Sequence, residues 1–182
     1  MTFNQNSKIL VIGTSGSGKS TLARHLAKRL HVQDLELDAL FWQPGWRETP
    51  TEQFRNKIST AIASSDGFVL HGNYNKVRDV TWKHSETVIW LDYPRTLVMW
   101  RVLKRSVLRM LKREELWAGN KESFRKTFLS KDSIILWAWN TYDLRKKQYE
   151  ALIREPEYGH VTVIRLTSQK RLDQFLKHHG LL

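Results

Sequence analysis

Hydrophobic positions alternate along the chain between short runs and longer periodic stretches. Lys8–Gly13 (KILVIG) is a β-branched run closed by glycine, the pattern of a buried strand. Lys19–Leu30 follows with Leu22, Leu26 and Leu30 at i, i+4 and i+8, which predicts an amphipathic helix. Asp34–Asp38 (DLELD) alternates leucine with acid and predicts a second short strand. Phe41–Pro50, rich in Trp, Gly and Pro, reads as a loop. Thr49-Pro50-Thr51-Glu52 has the form of a capping box with proline at the first helical position. The helix it opens runs through Phe54, Ile58, Ala61 and Ile62 to about Ser65. Gly67–His71 (GFVLH) and Thr87–Asp92 (TVIWLD) predict two more buried strands, and Pro94 opens a long helix through Leu97, Trp100, Leu108 and Leu111. After a break at Gly119-Asn120 come a helix over Asp132–Ile153, a fifth strand at His160–Leu166 and a closing helix at Ser168–His178.

Strands alternating with helices predict an α/β fold, a mostly parallel five-stranded sheet with helices on both faces. Ligands in such folds bind beyond the carboxyl ends of the strands, where this pattern puts Gly13, Asp38, His71 and Asp92. No repeat, low-complexity tract or linker divides residues 1–182, so one domain is expected.

The first of those ends carries the strongest signal. Gly13-Thr14-Ser15-Gly16-Ser17-Gly18-Lys19-Ser20 fits G-x-x-x-x-G-K-[ST] between a predicted strand and a predicted helix. Glycines let the backbone curl so that successive N–H groups point inwards and form an anion nest at the helix N-terminus. Gly13, Ser15, Gly16, Ser17, Gly18, Lys19, Ser20 and Thr21 are therefore the candidate ATP-binding residues. Lys19 would reach the β- and γ-phosphates, and the Ser20 hydroxyl would ligate Mg²⁺.

Composition narrows the chemistry further. The 182 residues include no cysteine, which excludes a disulfide scaffold, a thiolate nucleophile and cysteine-ligated metal. No apolar run approaches a membrane span and the N-terminus lacks a signal-peptide layout, so a cytoplasmic protein without a membrane partner is expected. The formal net charge is +12, and residues 95–149 hold 14 Lys and Arg against five Asp and Glu. That concentration is either a solvated helical face or a lid that closes over phosphates.

Other polar groups acquire meaning from their positions. Asp38 can accept a proton from a substrate hydroxyl, hold a magnesium-bound water, or serve as a loop carboxylate. Asp92 is a metal ligand or, more simply, shapes the turn into the next helix. Phe41, Trp42 and Trp46 either stack on an acceptor or cap the core, and Arg47 and Arg55 can pair with an acceptor phosphate. Trp137 and Trp139, two apart, cannot share one helix face.

Gly67-Phe68-Val69-Leu70-His71-Gly72-Asn73-Tyr74 resembles the adenylate kinase segment GFLLDG. LDYPRTLVMWRVLKR is similar to its D-x-P-x-x-L-x-x-x-R-x-x-x-R helix start. With the phosphate loop, LDALFWQPGW and GNY, the chain resembles over nearly its whole length the adenylate kinase-related, kinase-like P-loop proteins often labelled DNA topology modulation proteins. The resemblance implies a three-layer nucleoside-monophosphate-kinase-like fold, an acceptor region at about 39–75 and a helical basic lid at about 106–140. It implies that Arg101 packs near adenine, that Arg105 contacts phosphate at the lid hinge, and that Arg145 offers a second phosphate contact. It also places Thr167-Ser168-Gln169-Lys170 at the adenine edge. The family pattern has Asp before Gly-Asn-Tyr where this chain has His71. A neutral imidazole does not replace the charge with which that Asp orients the water shell of Mg²⁺.

These readings predict a kinase that moves the ATP γ-phosphate to a nucleotide-like small molecule, with Lys19, Asp38, Arg105 and Arg145 at the reacting groups and Mg²⁺ on Ser20 and Asp38. The alternatives are a nucleic-acid-associated ATPase that uses the basic segment, and a nucleotide-binding protein with weak turnover because of His71. Composition and motif leave the acceptor and the oligomeric state open.

Overall fold

The structure is a computed structural model that describes residues 2–112, 115–120 and 133–182. Its central sheet contains β1 (Lys8–Gly13), β2 (Gln33–Glu36), β5 (Phe68–His71), β6 (Thr87–Leu91) and β7 (Thr162–Leu166), in the order β2-β5-β1-β6-β7. All four pairings are parallel. The central strands β1, β5 and β6 are buried almost without interruption, as parallel strands covered on both faces must be. On one face Ile9, Val11, Val69 and Ile89 pack against α1 (Lys19–Leu30) and α7 (Gln169–His178). On the other, Leu10, Ile12, Leu70 and Trp90 meet α3 (Thr51–Ala63), α4 (Arg78–Lys83) and α6 (Ile134–Leu152). This is the parallel sheet covered on both faces that the alternation of strands and helices predicts, in the three-layer P-loop arrangement that the resemblance implies.

Three local expectations need correction. Asp38 does not end a strand. Strand β2 stops at Glu36, and Leu37–Phe41 forms a short helix, α2, with Asp38 in its first turn. The reason is a change of period: Leu35 belongs to the alternating pattern, whereas Leu37 and Phe41, four apart, are both buried beneath α3. Thr49 does not cap α3 either, because Pro50 occupies the cap position and no side chain caps the helix. The Thr49 hydroxyl instead donates to the Leu40 carbonyl at 3.3 Å, and its N–H donates to the Phe41 carbonyl at 2.9 Å. Thr49 thereby closes the aromatic loop, in which β3 (Trp42–Gln43) and β4 (Arg47–Glu48) pair antiparallel. Finally, α4 lies in a stretch where no helix is expected from the pattern, with Thr81 and Trp82 buried.

Helix α5 (Arg95–Leu111) starts after Pro94, whose carbonyl accepts from the Val98 N–H. Of the expected lid, the described parts are the end of α5, residues 115–120 and the start of α6. The bases Arg113, Lys121, Arg125, Lys126 and Lys131 lie outside the described residues.

Candidate nucleotide and acceptor site

The loop after β1 is shaped by backbone conformations that favour glycine. Gly16 and Gly18 have φ of 83° and 99°, and Gly18 is the cap residue of α1. A Cβ at Gly16 would lie 2.6 Å from the Val102 side chain and 2.8 Å from the Val98 carbonyl, so α5 packs directly on the loop. No side chain caps α1 and its first turn contains no acid, which leaves the positive end of the helix turned to the loop.

Lys19 bends back, and its Nζ donates to the Thr14 carbonyl at 2.9 Å. Enclosure of the ammonium among the surrounding elements lowers its pKa from 10.5 to about 8; Asp38 opposes the shift, while Arg105 and Arg145 add to it. Those four groups, 126 positions apart in sequence, thus act on one point. Arg105 donates to the Ser15 Oγ at 3.3 Å. Arg101 donates to the Ser17 carbonyl at 3.3 Å and to Gln169 Oε1 at 3.1 Å. The loop, α5 and the start of α7 therefore meet where the resemblance puts the nucleotide.

Asp38 faces the loop from α2 and accepts a 2.5 Å hydrogen bond from the Tyr74 hydroxyl. Burial and the adjacent carboxylate push the Tyr74 phenol far upward, so it remains a donor. Arg145 donates to Asn75 Oδ1 at 3.3 Å, tying α6 to the segment after β5.

Tyr149 is a contributor that sequence reasoning missed. Its hydroxyl donates to Asn73 Oδ1 at 2.6 Å, and Asn73 Nδ2 donates to the Gly13 carbonyl at 2.6 Å, a relay that fixes the first residue of the phosphate loop. Burial pushes the Tyr149 phenol up to about 12. Its signal was its spacing from Arg145, one helical turn away on the same face. A cavity of about 30 Å³ adjoins this relay, lined by Asn73, Tyr74, Arg78, Arg145, Gln148 and Tyr149 among others.

The residues expected on the acceptor side divide. Phe41 is a core side chain, packed against Phe54, Tyr74 and Trp42. Trp42 and Trp46 are half-buried and meet edge to face with centroids 5.4 Å apart. Asn120, 5% exposed, accepts from the Trp46 N–H at 2.9 Å and donates to the Gln43 carbonyl at 2.9 Å. Trp117 packs edge-on to Trp46, so residues 117–120 form a strap across the aromatic loop. Arg55 is engaged elsewhere, in a bidentate pair with Asp79. Arg47 lies at the exposed edge of the loop.

His71 is 1% exposed, and its Nε2 lies 3.1 Å from Asp34 Oδ1 on the neighbouring strand. Asp92 is held by Arg165 and Lys146, an ion cluster that supports its structural reading and occupies the carboxylate. Trp139 lies under the Arg95 guanidinium and Trp137 beside Arg145, on separate faces as their spacing requires.

A family model described as an AAA domain matches residues 9–123. No curated protein matches the sequence. Among solved structures, the chain is similar to a gluconokinase from Sinorhizobium meliloti 1021, with a TM-score of 0.51 at 18% identity. The alignment covers 98% of this chain and 93% of that one, a likeness of fold from end to end.

Proposed function

The chain belongs to the AAA domain family, whose model spans more than half of it, and from that premise we propose that it is a kinase transferring the ATP γ-phosphate to a small, nucleotide-like acceptor. The observation that carries this reading is the convergence of Asp38, Arg105 and Arg145 on the Lys19 ammonium beside an uncapped helix N-terminus. The donor set fits a bound triphosphate: three cations crowd one point, and a polyanion there offsets the burial and repulsion that lower the Lys19 ammonium to about 8. It also fits Mg²⁺, which keeps most of its waters and needs only one or two protein oxygens besides phosphate. Ser20 and Asp38 would supply them. Bound Mg²⁺ would neutralise charge on the transferred group.

The rest of the chemistry belongs to this chain's own side chains. Lys19, Arg105 and Arg145 stabilise negative charge that spreads over the equatorial oxygens as the phosphoryl group moves. Asp38, oriented by Tyr74, takes the proton of the acceptor hydroxyl. Arg101 and Gln169 position the base, and the Trp42–Arg47 loop with its strap covers the acceptor. The finer placement among the kinase-like proteins labelled DNA topology modulation proteins rests on LDALFWQPGW and GNY and belongs to the same proposal.

Purified protein, Mg²⁺ and labelled ATP are incubated with a panel of nucleotides, nucleosides and sugars. Transfer of label to one class is expected, and retention of all label in ATP overturns the reading. Release of free phosphate alone would favour the ATPase alternative.

A further inference from the structure

Three consecutive residues after β5 reach three separate parts of the molecule. Asn73 Nδ2 donates to the Gly13 carbonyl at 2.6 Å, the Tyr74 hydroxyl donates to Asp38 of α2, and Asn75 accepts from Arg145 of α6 at 3.3 Å. The backbone at Tyr74 is extended, with φ of −118° and ψ of 106°, so Asn73 and Asn75 turn to one side and Tyr74 to the other. On the first side lies α6, whose Arg145 and Tyr149 stand four apart and meet Asn75 and Asn73 respectively. Helix and tripeptide are joined at two points, and the second continues into the phosphate loop.

The Tyr149 hydroxyl does more than fill the core. Its ring packs against Trp90 with centroids 5.7 Å apart, within the apolar layer on the α6 side of the sheet. A phenylalanine would fill that space without burying an oxygen. The oxygen donates to Asn73 Oδ1 at 2.6 Å and lies 3.5 Å from the Gly13 carbonyl. Because a carbonyl only accepts, Gly13 orients the Asn73 amide with Nδ2 towards the loop and Oδ1 towards Tyr149. Each hydrogen bond of the relay therefore has a fixed direction.

The relay ends on a peptide that shapes the phosphate cradle. The Gly13 carbonyl and the Thr14 N–H belong to one rigid plane, so a hydrogen bond that holds the first aims the second. The next carbonyl, that of Thr14, receives the Lys19 ammonium at 2.9 Å. Turning the Gly13–Thr14 peptide would shift both an N–H at the start of the anion nest and the resting place of Lys19. The strap at 117–120 lies off this path, since Asn120 ties it to Gln43 and Trp46.

We propose that Tyr149 is a positioning residue through which α6 sets nucleotide affinity. By way of Asn73 it holds the Gly13–Thr14 peptide in its phosphate-binding orientation, and bound nucleotide in turn holds α6, with Arg145, against the site. Coupling between two such points is reciprocal. The inference rests on the reading above that ATP occupies residues 13–20, and it does not require phosphate transfer.

Isothermal titration calorimetry with Mg²⁺ and ATP, and amide exchange over residues 145–152, test it on the full chain. Tyr149→Phe should weaken ATP by about 3- to 10-fold, and Asn73→Ala by at least as much. The double variant should bind no more weakly than Asn73→Ala alone, because both changes cut one path. ATP should slow exchange over 145–152 in the unsubstituted chain, and in Tyr149→Phe that slowing should shrink. Tyr158→Phe removes another hydroxyl from a buried ring of the same apolar layer and should leave ATP affinity unchanged, which separates positioning from general loosening. Unchanged affinity in Tyr149→Phe, additive losses in the double variant, or equal weakening by Tyr158→Phe overturns the proposal alone. An unsubstituted chain that binds no ATP overturns the reading of the loop, and this inference falls with it.

Discussion

The phosphate half and the acceptor half of the candidate site are held together by different means. Residues 13–20 form one continuous loop fixed by backbone geometry, glycine conformations and the direct packing of α5. The proposed acceptor half is assembled from Asp38, the Trp42–Arg47 loop, Asn73–Asn75 and the strap at 117–120, joined by side-chain hydrogen bonds. The first half is a local property of the chain, and the second exists only when distant segments have met. A local motif tolerates change around it poorly and change far from it well; an assembled surface does the reverse. This division allows the two halves to be perturbed separately.

The largest effect should follow from Lys19→Ala. It removes the group on which Asp38, Arg105 and Arg145 converge, and deletion of one transition-state cation in a preorganised site costs about 10²–10³-fold in turnover. Nucleotide affinity should fall with it, while the strap, read through fluorescence of Trp46 and Trp117, stays in place. An unchanged turnover would show that the loop is not where transfer occurs.

Asn120→Ala probes the other half. It removes the side-chain hydrogen bonds to the half-buried Trp46 N–H and Gln43 carbonyl, a loss of about 1–3 kcal/mol in strap docking. The acceptor KM should rise by roughly 5- to 150-fold on that energy, with nucleotide affinity unchanged. Should nucleotide affinity fall instead, the two halves are coupled and the comparison fails.

The same division explains what could be read from the chain. The sheet, the flanking helices and the phosphate loop were legible because each is written in consecutive residues: an unbroken apolar run, a period of four, a glycine pattern. Arg101 and Gln169 were placed by resemblance and meet at 3.1 Å across 68 positions. Asp38 was found, but its helix was not, because DLEL alternates perfectly up to the residue where the period changes. Tyr149 has no reading from the pattern and Asn120 only that of a helix break, for a common physical reason. Each acts through side-chain polar atoms on a segment remote in sequence, and no local pattern encodes those partners. Arg55 illustrates the converse, a base assigned to an acceptor that is satisfied by Asp79.

His71 yields a smaller effect that sets the two halves against the sheet itself. His71→Asp would set a buried carboxylate against Asp34 and should destabilise the fold, by about 1–3 kcal/mol in urea unfolding. Adding Asp34→Asn should recover most of that loss. If the single substitution is neutral in stability and raises turnover, the histidine is the limiting defect of the phosphate half and not a core pair.

The smallest effect is a slope with pH, and its sign follows from Lys19. In the unfolded chain this lysine titrates near 10.5, whereas in the folded protein without ligand it titrates near 8. Between those values the unfolded state binds more protons, so stability must rise as pH rises through the window. Burial of Tyr149 acts oppositely, because its folded pKa of about 12 lies above the ordinary 10.0. Its contribution is complete below pH 10 and is lost only as pH climbs beyond. Urea midpoints measured from pH 7.5 to 9.5 should therefore increase, by an amount on the order of 1 kcal/mol, before the tyrosines reverse the trend. Lys19→Met should flatten the rise, and saturating nucleotide should flatten it too, by holding the proton on the ammonium. A slope that persists in Lys19→Met would assign the titration to another group, and with it remove the reason for placing the polyanion at Lys19.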